Sequence, residues 1–287
     1  MVDYSCWSIQ RVWWNDKLIF TTLKLKKKIE LKKEILYLLL LSIVTVYFAY
    51  STHTPNKTYM VSGILGTLLI LTWFIRAFVL YSGRKISKYS EVIQRISIKD
   101  RFFIYFVLPI LFYGSLLLYL YFNTSFTMDM VLVLVSIILL LILFLNVKSS
   151  FRKIYSVEQQ TRAIFDFICI AAFYLLSSVI IRLAIPMWSS LLILFVVSLL
   201  LFWSDIKIHR HENIQSLLIT TLSALFVCAT SGIFFNSNIF IIPAISTLSF
   251  YLILSLWNIR FAGKLKLVDY LLPFIYSVLA LILILKV

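Results

Sequence analysis

Nine apolar runs of 17 to 24 residues dominate this chain, at 35–51, 59–82, 102–122, 128–147, 163–183, 187–204, 214–235, 239–259 and 267–285. A helix needs about 20 apolar residues to cross the hydrocarbon core of a bilayer, with about 17 as the lower limit. No water is available there, so backbone polar groups must be satisfied within each run, and every run is expected to be a helix. Unbroken runs exclude a transmembrane barrel, whose strands alternate. Composition agrees: 62% of residues are hydrophobic and 14% charged, against roughly 25% charged in a soluble domain. The expected fold is an all-α integral membrane protein, a polytopic bundle of about nine transmembrane helices with short outer loops. Residues 1–34 are read as a basic, Trp-rich interfacial segment in the cytoplasm and 35–287 as a single transmembrane helical domain.

Charge sets the expected orientation. Of 27 lysines and arginines, 23 fall in alternate connections: before the first run and within 83–101, 148–162, 205–213 and 260–266. The other side carries only Lys57, Arg182 and Lys286, and Arg76 lies within a run. Positive charge stays cytoplasmic in short loops. The N-terminus is therefore expected inside and the C-terminus outside, in the cell inner (plasma) membrane. The lysine-rich "LKLKKKIELKKE" before the first run reads as a topology determinant and no nucleic-acid partner is expected. The net charge of +15 is scattered in short pieces, whereas nucleic-acid recognition needs a folded basic face. The first run ends at "YFAYSTHTPNK" without a small-residue cleavage pattern, so it reads as a retained anchor.

Between the runs, Ile86, Tyr89, Ile93 and Ile96 recur at helical spacing among lysines and arginines. This predicts an amphipathic helix over 84–101 on the inner leaflet. With Trp7, Trp13 and Trp14, it points to the lipid bilayer, and its anionic inner-leaflet lipids, as a partner. The fourth run, "VLVLVSIILLLILFL", reads as an edge helix in which Ser136 matters little. The seventh and eighth, rich in Ser, Thr, Ala and Gly, read as an interior pair meeting through Thr220, Ser223, Ser246 and Ser249. Ser62, Gly63, Gly66 and Thr67 suit close packing of the second.

Charge inside a membrane is costly and so points to function. One candidate intramembrane polar site is Arg76 with Asp166, with Arg162 four residues before Asp166 as a same-helix alternative. Asp129 and Arg182 form a candidate pair near the outer face. "SDIKIHRHEN" brings Asp205, His209, His211 and Glu212 into one inner loop, a weak metal set of suitable ligand types. No cofactor is expected. Cys6, Cys169 and Cys228 show no paired spacing. No HExxH helix, phosphate-binding Gly loop or magnesium-type aspartate pair is present. Asn56 and Asn123 begin glycosylation sequons in loops too short for an acceptor enzyme and read as ordinary loop residues.

These features favour a non-enzymatic structural or assembly component of the membrane, with a membrane-protein partner or a homo-oligomer as the expected assembly. The alternative is a carrier for a small or amphiphilic substrate entering between the seventh, eighth and second helices. A lipid-modifying membrane enzyme using the inner-face polar residues is the third reading.

Overall fold

The computed structural model describes residues 34–54, 58–81, 83–85, 93–95, 106–152, 159–208, 214–261, 263 and 267–286. Nine helices appear among them: α1 (Glu34–Thr52), α2 (Thr58–Tyr81), α3 (Leu108–Phe122), α4 (Phe126–Arg152), α5 (Gln159–Arg182), α6 (Met187–Ile208), α7 (Ile214–Ile233), α8 (Ile241–Phe261) and α9 (Leu267–Lys286). Eight are long and apolar enough to span a membrane, and α3, with 15 residues, is the shorter ninth. The chain is a polytopic helical membrane bundle.

Between α2 and α3 the expected amphipathic helix is corrected where the backbone is described. Gly83–Lys85 (β1) and Ile93–Arg95 (β2) are short antiparallel strands, with Arg84 opposite Gln94. Ile93, one of the residues spaced for a helix, also has high strand propensity, and it lies opposite Lys85 in the pair. The rest of 84–101 lies outside the described residues, as do residues 1–33 with their tryptophans.

Side-chain contacts show α1, α2 and α3 running in alternately opposite directions. Tyr37 of α1 meets Arg76 of α2, while Phe48 meets Gly63 at the other end. Along α2 and α3, Gly66 faces Tyr113 and Phe78 faces Phe106. One end of the bundle holds residues 53–54 together with the connections 123–125 and 183–186.

The central helix is α5, which packs against α3, α4, α6 and α8. Its membrane-spanning part is 56% buried, against 33% for α4, α6, α7 and α8 and 11% for α9. The expected interior pair, α7 and α8, does pack together, but α7 lies between α6 and α8 rather than at the centre. Ser231 and Ser246 bond across that contact at 2.7 Å, and Trp257 Nε1 donates to Ser223 at 3.2 Å. Thr220, Ser223, Ser246 and Ser249 are all buried.

The assignment of α4 to the edge is corrected. Its Leu140, Leu143 and Phe144 are buried, Ser136 is only 2% exposed, and Trp73 of α2 stacks on Phe144 with ring centroids 4.4 Å apart. The edge helix is α9. In lipid, apolar side chains satisfy the bilayer and the protein core equally well, so hydropathy does not tell one from the other.

Aromatic rings fill the junctions of the bundle. Phe250 of α8 stacks on Phe173 of α5 at 4.7 Å and lies 4.4 Å from Phe202 of α6. Small residues permit the closest approaches: a Cβ on Gly66 would run into the Tyr113 hydroxyl, and one on Gly63 would meet Phe48 at 3.1 Å. Pro109 and Pro243 fall in the first turns of α3 and α8, where no intrahelical donor is lost. Only Pro273 lies inside its helix. The tight turn after α5 places Ala184 at φ 50°, a left-handed conformation glycine adopts more readily.

Candidate functional site

A connected polar cluster lies at the short-loop end. Asp129, in the first turn of α4, has a fully buried side chain. Its Oδ2 lies 2.7 Å from Nε2 of His53, which follows α1, and its Oδ1 accepts from Asn123 Nδ2 at 2.7 Å. The contact to His53 is an ion pair when the ring is protonated and a hydrogen bond from the neutral imidazole to the carboxylate otherwise. Phe126 packs edge-on against the same imidazole at 5.7 Å.

Asn123 explains how the two outer candidates are related. Asp129 and Arg182 are not in direct contact. Asn123 stands between them, its amide nitrogen toward the carboxylate and its carbonyl oxygen accepting from Arg182 Nη1 at 3.4 Å. An amide offers donors on one side and an acceptor on the other, so it matches a negative partner to a positive one. Arg182 also donates to the Phe122 carbonyl at 3.2 Å and to the Tyr119 hydroxyl at 3.4 Å, with its guanidinium 4.9 Å from the Tyr119 ring. Four segments are joined here: the end of α1, the α3–α4 turn, the start of α4 and the end of α5. The guanidinium caps the exposed carbonyl at the end of α3, a group lacking an intrahelical donor.

Sequence reading found Asp129 and Arg182 but missed His53, Asn123 and Tyr119. The available signal was that the short connections at one end each carry a polar residue able to bond a neighbour. Asn123, read there as an ordinary loop residue, is the joint of the cluster.

Of the inner candidates, Arg76 and Asp166 are not in contact with each other. Arg76 lies with its guanidinium 5.5 Å from the Tyr37 ring on α1, a cation–π contact. Asp166, on α5, accepts from Asn258 Nδ2 of α8 at 2.6 Å. The physical reason is helix order: α2 packs against α3 and α4, while α5 faces α8 at this level. The side chain of Arg162 lies outside the described residues.

Asp205 is corrected from an inner loop to the last turns of α6, which runs to Ile208, and it is 2% exposed. His209, His211 and Glu212 lie outside the described residues. Among the described residues no group of three or more His, Cys, Asp or Glu is placed to hold a metal. The concavity found here lies between α7, α8 and α9.

Compared with family models, curated proteins and solved structures, the chain matches none.

Proposed function

We propose that this protein is a non-enzymatic structural or assembly component of the membrane. The observation that carries this reading is the use made of its costliest polar groups. Asp129 bonds His53 and Asn123, Asp166 bonds Asn258, and Arg182 bonds the end of α3. Each joins helices or turns remote in sequence. A buried charge with several partners fixes how helices meet, whereas a transport or catalytic group must be free to change partners. Many other hydroxyls are held within their own helices, as Ser204 by the Leu200 carbonyl and Thr220 by that of Ser216.

In this reading the protein resides in the cell inner membrane with the basic connections in the cytoplasm. Its N-terminus is inside, its C-terminus outside, and its lysines and arginines meet anionic lipids of the inner leaflet. The sparsely covered α9 is the face on which a membrane-protein partner or a second copy would pack. The second reading, a carrier for an amphiphilic substrate, draws support from the cleft between α7, α8 and α9.

One experiment separates the two. In a strain lacking the chromosomal copy, Asp129→Asn is expressed, and membrane abundance and restoration of the wild-type phenotype are measured together. A structural role predicts that restoration falls only as far as abundance falls. Lost restoration at full abundance would make the cluster a working site and overturn the structural reading.

A further inference from the structure

The cleft between α7, α8 and α9 has a volume of about 280 Å³. Its walls are apolar, and Phe226 and Phe274, which line it, are 48% and 57% exposed. In a membrane bundle such exposed rings face lipid, so the cleft opens sideways into the bilayer.

One of its lining groups is anomalous. Ser277 of α9 is 6% exposed, and its hydroxyl makes no hydrogen bond. A serine in a membrane helix ordinarily donates to a carbonyl in its own preceding turn, as Ser231 and Ser246 do. Hydrocarbon supplies no water to replace that bond. Thr230, another lining residue, is occupied by the Val227 carbonyl. Ser277 therefore presents an unused donor to an apolar cleft.

Depth narrows the occupant. Ser277 is nine residues from the last residue of α9 and ten from its first, about 15 Å from either end at the helical rise. Half the hydrocarbon thickness is also about 15 Å, so the hydroxyl lies near the bilayer midplane. Phospholipid ester oxygens stay at the interface and do not reach that level. A charged group is costly there. The ligand must be uncharged, dissolved in the bilayer, and able to carry an oxygen acceptor to the midplane.

We propose that the α7–α8–α9 cleft binds an uncharged lipid bearing a carbonyl or hydroxyl oxygen, which accepts a hydrogen bond from Ser277. The inference is independent of whether the bundle is structural or a carrier, because it concerns binding alone.

Full-length protein in nanodiscs is titrated calorimetrically with decylbenzoquinone, a carbonyl probe, and separately with dodecanol, a hydroxyl probe. Empty discs serve as blank and an anionic lysophosphatidylglycerol as the charged comparison. Saturable binding of at least one uncharged probe is expected, and the stronger of the two identifies the oxygen type. Ser277→Ala removes a hydroxyl that has no partner in the bundle, so it should fold as the wild type does. It should weaken binding about tenfold, as loss of one hydrogen bond would. Val278→Trp, which fills the cleft, should abolish binding. No saturable binding, unchanged affinity in Ser277→Ala, or equal binding of the lysophospholipid would each overturn the proposal.

Discussion

The buried carboxylate of Asp129 meets the imidazole of His53 at 2.7 Å, although the two residues are 76 positions apart in sequence. That contact ties the end of α1 to the start of α4, and Asn123 extends the connection toward Arg182 and α5. A carboxylate removed from solvent depends on such partners, and losing one leaves the remaining polar groups incompletely satisfied.

Asp129→Asn and His53→Ala should therefore each lower stability in detergent by about 2 kcal/mol, the scale of a hydrogen bond to a charged group. Because both changes break the same contact, the double variant should lose clearly less than the sum of the two. Thermal or denaturant unfolding of the four proteins measures this. Strict additivity would mean that the two side chains are held independently.

Gly66 and Gly114 make a controlled pair. A methyl group at Gly66 would collide with the Tyr113 hydroxyl, which also lies 3.1 Å from Thr45 on α1, whereas one at Gly114 meets nothing within 4 Å. Gly66→Ala should cost on the order of 1–3 kcal/mol through overpacking. Gly114→Ala should be neutral or stabilise slightly, since alanine is the better helix former. Comparable losses at both positions would contradict the described α2–α3 contact.

Ser223→Leu and Ser136→Leu should both be damaging. Ser223 receives the Trp257 indole donor and Ser136 is buried in α4, so added volume at either site costs on the order of 1–3 kcal/mol. Unfolding midpoints of the two variants decide the point. A silent Ser136→Leu would return α4 to the edge position that its sequence alone suggested.

The helices themselves were legible because a span is a length of apolar chain, and length survives without knowledge of packing. What faces what was not legible in the same way. The span of α4 has a mean hydropathy of 3.2 yet is a third buried, while that of α9, at 2.3, is 11% buried. Small residues were a better guide: the serines of α7 and α8, and Gly63 and Gly66 of α2, do mark close contacts. The expected contact between Arg76 and Asp166 does not form. Arg76 and Asp166 lie on helices that take different neighbours, and three-dimensional order sets Arg76 over the Tyr37 ring and bonds Asp166 to Asn258. His53 and Asn123 lie in connections too short for any recurring pattern to single them out.

The orientation proposed above, nine crossings with the basic connections in the cytoplasm, rests on the charge bias of the sequence. Dual reporters active on only one side of the membrane, fused after Lys33, Lys57, Lys99 and Asn238 and at the C-terminus, measure this directly. The nine-helix arrangement with its basic face inside predicts in, out, in, out and out. A C-terminal reporter on the same side as the one after Lys33 would contradict it.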